Sequence, residues 1–120
     1  MSIVAGGAWI APGVAETLRS ARRLEGFATL AELKTLVAGA DWVPAGELED
    51  FRRGCEAVRL AQLAALLAAA DAGEAWRPER AAVLGWNGSG CAAENRRYWQ
   101  DYLANGRDLG RGGLFVATLA

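Results

Sequence analysis

Apolar and polar positions alternate in short blocks along the chain, and most blocks have a recognisable period. Ile3-Val4-Ala5, followed by Gly6-Gly7 and Ala8-Trp9-Ile10, reads as a buried opening strand that breaks into a glycine turn, and Pro12-Gly13 closes the segment. Residues 15–24 have helical composition, with Leu18 and Leu24 inward and Arg19, Arg22 and Arg23 outward as a solvated face. Thr29-Leu30-Ala31-Glu32 fits a capping box, in which the threonine hydroxyl takes the N3 amide and the glutamate reaches back to the cap amide. Leu30, Leu33 and Val37 follow on one face, and Gly39 stands where a helix stops.

The acidic cluster Glu47, Glu49 and Asp50 suits a helix N-terminus, so a long helix is expected from about residue 47 to residue 72, ended by Gly73. It begins amphipathic through Phe51, Cys55 and Val58. It then turns apolar nearly all round through Leu60, Leu63, Leu66, Leu67 and the alanines, which predicts burial on every side. Ala81 to Trp86 is a continuous apolar run between turn signals, the signature of a buried parallel strand, and Asn87-Gly88-Ser89-Gly90 is its turn. Residues 92–105 form a further helix closed by Asn105-Gly106, with Tyr98, Trp99 and Tyr102 at helical spacing and expected in a core. Gly110 to Gly113 is a loop, and Leu114 to Ala120 an apolar end. The coarse order β-α-α-α-β-α defines an α/β class.

The 120 residues hold one domain's worth of chain. Thirteen basic against fourteen acidic groups give a net charge of -1, so no global field favours nucleic acid or an anionic membrane. The C-terminal third is mildly basic. The most apolar run, Ala57 to Ala70, is too short for a bilayer span and holds Arg59 and Gln62. No signal-peptide pattern opens the chain.

Zero histidines remove Ser-His-Asp and Cys-His nucleophile activation, His-ligated zinc and the usual general base. Two cysteines 36 residues apart make neither a metal-spaced pair nor a disulfide framework. They read as free buried thiols in a reducing, cytoplasmic compartment. Gly88-Ser89-Gly90-Cys91-Ala92-Ala93 matches the GxGxxA turn that seats a pyrophosphate on a helix N-terminus. The ribose-binding acid at the matching distance, Asp108, precedes the next strand candidate instead of ending it, so a small phosphate- or nucleotide-binding module is an alternative only. Cys91 lies where a helix N-terminus would activate a thiol, yet with no histidine to act as base it reads as a small buried residue. Ser89 is a turn or cap serine. Arg96, Arg97, Arg107 and Arg111 are the one basic concentration, read as a solvated face or a contact for an anionic partner. Neither a cofactor nor a metal site is expected.

In order as well as type, several of these segments resemble the N-terminal part of β-ketoacyl-acyl-carrier-protein synthases, the condensing enzymes with the thiolase-like fold. The segments are the opening Gly-Gly and Pro-Gly, Phe51-Arg52-Arg53 before an Ala/Leu-rich helix ending Asp71-Ala72-Gly73, and Arg80-Ala81-Ala82-Val83-Leu84-Gly85. The glycine turn, Glu94-Asn95 and Asn105-Gly106-Arg107 before Leu114-Phe115-Val116 continue the series. The resemblance covers most of the chain and is weak between residues 25 and 45.

It implies the first part of a layered α-β-α-β-α fold whose complete form extends an acyl thioester by decarboxylative Claisen condensation. The family's nucleophilic cysteine and its two histidines, or histidine and asparagine, would lie beyond Ala120, leaving this chain inactive alone. Asn87, Gly88, Ser89, Gly90 and Cys91 would border the acyl-chain pocket near a dimer interface. Arg96, Arg97, Arg107 and Arg111 would meet the acyl carrier protein. A missing C-terminal remainder, or another subunit that this chain completes as a non-catalytic partner, would supply the rest. Two strands and four helices cannot cover both faces of a buried strand and an all-apolar helix, so exposed apolar surface and self-association are expected, with Leu114 to Leu119 aggregation-prone.

Overall fold

Val14-Ala15-Glu16-Thr17 alternates half-buried with buried side chains, a period of two that a sheet uses and a helix cannot. The computed structural model describes residues 4–44, 55–82 and 92–105. Within them the order is β1 (Ala8–Ala11), β2 (Val14–Thr17), β3 (Arg23–Glu25), α1 (Leu30–Gly39), α2 (Glu56–Ala72) and α3 (Ala92–Ala104). Two short 3-10 turns, Gly73–Ala75 and Pro78–Arg80, follow α2. The chain is mixed α/β, and its sheet is an antiparallel meander in the order β1-β2-β3.

Two expectations at the N-terminal end are corrected. Val4 and Ala5 are outside any strand, with Val4 76% exposed, and the first strand starts after the two glycines. The helix expected over 15–24 is β2, a turn and β3. Pro12-Gly13 does turn the chain, between Ala11 and its partner Val14. Gly13, at φ 80°, takes the positive φ that the second central position of this turn requires. β2 continues into β3 with Ala15 opposite Leu24 and Glu16 opposite Arg23.

Thr29 caps α1 as its sequence predicts. Its hydroxyl accepts from Glu32 N–H at 3.2 Å, and the Glu32 carboxylate accepts from Thr29 N–H at 3.3 Å. The helix buries Leu33 and Val37 and packs against β3. Gly39 is its last residue, with Ala40 as cap, so the stop falls slightly later than expected.

Among the described residues α2 is not buried all round. Leu63 and Leu67 are fully enclosed, whereas Leu60 is 39% exposed and Ala61 and Ala65 face solvent. An alanine counts as apolar in a pattern but loses little when exposed on a helix. Gly73 ends the helix in the left-handed region at φ 56°. Beyond the turns, Ala81 and Ala82 are exposed and carry no strand pairing; the remainder of that expected parallel strand lies outside the described residues.

The chain divides into two compact units, residues 1–47 with 60–83, and residues 48–59 with 84–120. The first has its buried residues at Ala15, Thr17, Phe27, Leu33, Val37, Leu63 and Leu67. In the second, α3 follows its predicted span but buries none of its side chains.

Candidate functional site

The polar centre of the first unit is the Asp71 carboxylate, in the last turn of α2. A negative charge there faces the partial negative end of the helix dipole, so it must be stabilised from outside the helix. Its Oδ1 accepts from Ser20 N–H at 2.7 Å and Ser20 Oγ–H at 2.8 Å, and its Oδ2 accepts from Gly7 N–H at 2.9 Å. Arg19 N–H is shared between the two oxygens at 3.1 and 2.9 Å.

Ser20 has one hydroxyl proton, and Asp71 takes it. In the 2.7 Å contact between Ser20 Oγ and Thr17 Oγ1, Thr17 must therefore donate. Thr17 Oγ1 in turn accepts from Arg22 N–H at 2.9 Å. The result is a directed chain, Arg22 N–H to Thr17 to Ser20 to Asp71, which gives the buried Thr17 hydroxyl both of its partners.

The same turn grips the N-terminal segment. Leu18 N–H donates to the Gly7 carbonyl at 2.9 Å, and Arg19 Nη1 donates to the Ala5 carbonyl at 2.8 Å. Gly6 lies directly on α2, where a Cβ would stand 2.8 Å from the Ala68 carbonyl oxygen and nearer still to Ala72 N. Only glycine fits that approach.

Partial desolvation of Asp71 opposes its ionisation, but the hydrogen bonds from Gly7, Ser20 and Arg19 outweigh it and hold its carboxyl well below the usual carboxylate range. Both oxygens are saturated by donors. Such a carboxylate can anchor backbone; it has no lone pair left to take a proton from a substrate.

The arginines of the hairpin are exposed, as expected for 19, 22 and 23, and each is engaged. Arg22 stands 5.3 Å from the centroid of the Trp42 ring, a cation–π distance. Arg23 pairs with Glu25 and reaches Glu16 at 3.8 Å.

In the second unit, Tyr98, Trp99 and Tyr102 form a cluster on α3, with Trp99 edge-on to Tyr102 at 5.5 Å and Tyr98 stacked with Tyr102 at 6.4 Å. Core packing for this cluster is corrected. Trp99 is 58% and Leu103 62% exposed. Arg96 and Arg97 lie exposed on the same helix. Arg107 and Arg111 lie outside the described residues, as do Asn87, Gly88, Ser89, Gly90 and Cys91, so the expected acyl-pocket turn is not described.

Cys55 is buried at 2% exposure, as a core residue should be, but the free thiol expected there is corrected: its sulfur is in a disulfide. Among the described residues no cluster of His, Cys, Asp and Glu could hold a metal ion, and no helix is long and apolar enough to cross a membrane.

Asp71 is the residue that sequence reasoning passed over as a site. The signal was present: a lone acid in a run of alanines at the unfavourable end of a helix. Comparison with known proteins returns no matching family model, curated protein or solved structure.

Proposed function

We propose that this chain is the N-terminal scaffold of a condensing enzyme of the β-ketoacyl-acyl-carrier-protein synthase type. In that reading it supplies framework and carrier-protein contacts to acyl-thioester chain extension, while the reacting cysteine and histidines come from elsewhere. One observation carries it. Two landmarks of the sequence resemblance, Gly6-Gly7 and the Asp71-Ala72-Gly73 helix end, meet in space through the Gly7 to Asp71 hydrogen bond, although 64 residues separate them.

The chemistry available to the chain agrees with a scaffold role. With no histidine, it has no neutral imidazole to stabilise the enolate formed on decarboxylation. Its best-organised carboxylate is committed to backbone amides. Exposed Arg96 and Arg97 offer charge to an acidic carrier protein. The location that goes with this reading is the cytoplasm, and the bonded Cys55 stands against it, because cytosolic thiol buffers keep structural cysteines reduced.

The test is a condensation assay with acyl- and malonyl-carrier protein. The chain alone should give no product above background, and mixing it with a condensing-enzyme remainder that carries the cysteine and histidines should raise turnover above that of the remainder alone. Turnover by the isolated chain, or a mixture no faster than the remainder, contradicts the proposal.

A further inference from the structure

The sheet of the first unit has two edges of different character. β3, at one edge, carries Arg23 and Glu25, both exposed and paired with each other, and α1 packs against it. Charges on an edge strand discourage the approach of another strand. β1, at the other edge, is Ala8-Trp9-Ile10-Ala11, with neither a charge nor a proline.

Pairing with β2 fixes which backbone groups of β1 are used. Leu18 N–H donates to the Gly7 carbonyl, and the register sets Trp9 opposite Glu16 and Ala11 opposite Val14. Ladder bonds of an antiparallel pair fall on alternate residues, so Gly7, Trp9 and Ala11 direct their backbone groups toward β2, and Ala8 and Ile10 turn theirs to the open edge. Among the described residues nothing pairs with that edge.

We infer that β1 is the interface between two copies of this chain, paired antiparallel about a two-fold axis at Trp9. In that register Ala8 of one copy lies opposite Ile10 of the other, and the outward N–H and carbonyl groups of both residues are all used. Centring the pair on Ile10 would set Ala8 against Pro12, which has no N–H. Centring it on Ala8 would set Ile10 against Gly6, which already lies on α2. The two Trp9 rings meet at the axis. Trp9 is 40% exposed, and its neighbours on the same face of the strand, Gly7 and Ala11, are small enough to leave room for a second indole. Across β2, Glu16 is engaged by Arg23 at 3.8 Å, so the pairing brings no unmatched charge beside the aromatic centre. A central aromatic anchor is the usual source of affinity in an interface. Two four-residue strands make a small interface, so association is weak and shows at high protein concentration. The inference does not depend on the proposed enzymatic role.

The test is sedimentation of the full chain over a wide range of concentration, with residue-resolved amide exchange at both ends of the range. The chain should pass from monomer to dimer. Exchange of the Ala8 and Ile10 amides should slow as the dimer forms, while the Trp9 amide, which bonds β2, stays protected throughout. Trp9→Lys sets two ammonium groups against each other across the axis, faces Glu16 within each copy, and should weaken dimerisation roughly 30-fold, as loss of a central anchor does. Ile10→Pro removes an edge N–H and no bond to β2, and is the second variant should the first fail to fold. A chain that stays monomeric, open-ended growth in place of a dimer, a dimer in which Ala8 and Ile10 exchange as in the monomer, or a dimer left equally tight by the folded variant would overturn the inference.

Discussion

Asp71 Oδ2 accepts the Gly7 amide at 2.9 Å, joining the last turn of α2 to the segment that leads into β1. The same carboxylate holds Arg19 and Ser20, so one side chain fixes three parts of the chain to one another.

Replacing Asp71 should destabilise the first unit, and by more in Asp71→Ala than in Asp71→Asn. Asparagine keeps one acceptor oxygen but turns an amide NH2 toward N–H groups that already donate. The effect should depend on pH. A carboxyl whose folded pKa is depressed contributes stability that is fully present above its unfolded value and is lost as pH falls toward the folded one. Melting curves of wild type and Asp71→Asn between pH 7 and pH 2 should show a constant wild-type advantage down to about pH 4, then a shrinking one. An advantage that stays constant to pH 2 would detach it from ionisation.

Gly6 and Gly39 should respond in opposite senses to the same substitution. Gly6→Ala pushes a methyl group into the Ala68 and Ala72 backbone and should cost about 1–3 kcal/mol. Gly39→Ala meets nothing within 4 Å at the end of a helix and should stabilise by about 0.5–1 kcal/mol. Urea midpoints at unchanged slope compare the two. Equal effects would mean that Gly6 does not cross α2 this closely.

Ala21 occupies the left-handed region at φ 51° in the turn between β2 and β3, a conformation that costs an L-residue with a Cβ about 1–2 kcal/mol. Glycine removes that cost while gaining freedom in the unfolded chain, so Ala21→Gly should stabilise by about 0.5–1 kcal/mol. A lower melting temperature for this variant would show that the turn is not built this way.

Ala21 also explains why the hairpin was hard to read in the sequence. Hairpin turns are announced by Gly or Asn at positive φ, and here an alanine fills the position in the run Leu18-Arg19-Ser20-Ala21-Arg22-Arg23-Leu24, in which all but the serine are good helix formers. The decisive contacts are non-local: Ser20 and Arg19 find Asp71 more than fifty residues away. Where the signal is local, sequence and structure agree. The Thr29 box, the Pro12-Gly13 turn, the Gly73 stop and the α3 span all rest on capping or turn chemistry contained within a few residues. Burial was the harder property. The apolar faces of α2 and α3 are legible as faces, but which of them finds a partner depends on neighbours that periodicity does not name.

The carboxylate bridge between Gly7, Arg19, Ser20 and the end of α2 is the centre of this account, and residue-resolved amide exchange tests it most directly. In the wild-type chain the amides of Gly7, Arg19 and Ser20 should be protected together although Arg19 and Ser20 are exposed residues of a turn, and in Asp71→Asn their protection should fall together while that of Leu33 and Val37 in α1 persists. Fast exchange of Arg19 and Ser20 in the wild type, or protection unchanged by Asp71→Asn, would contradict it.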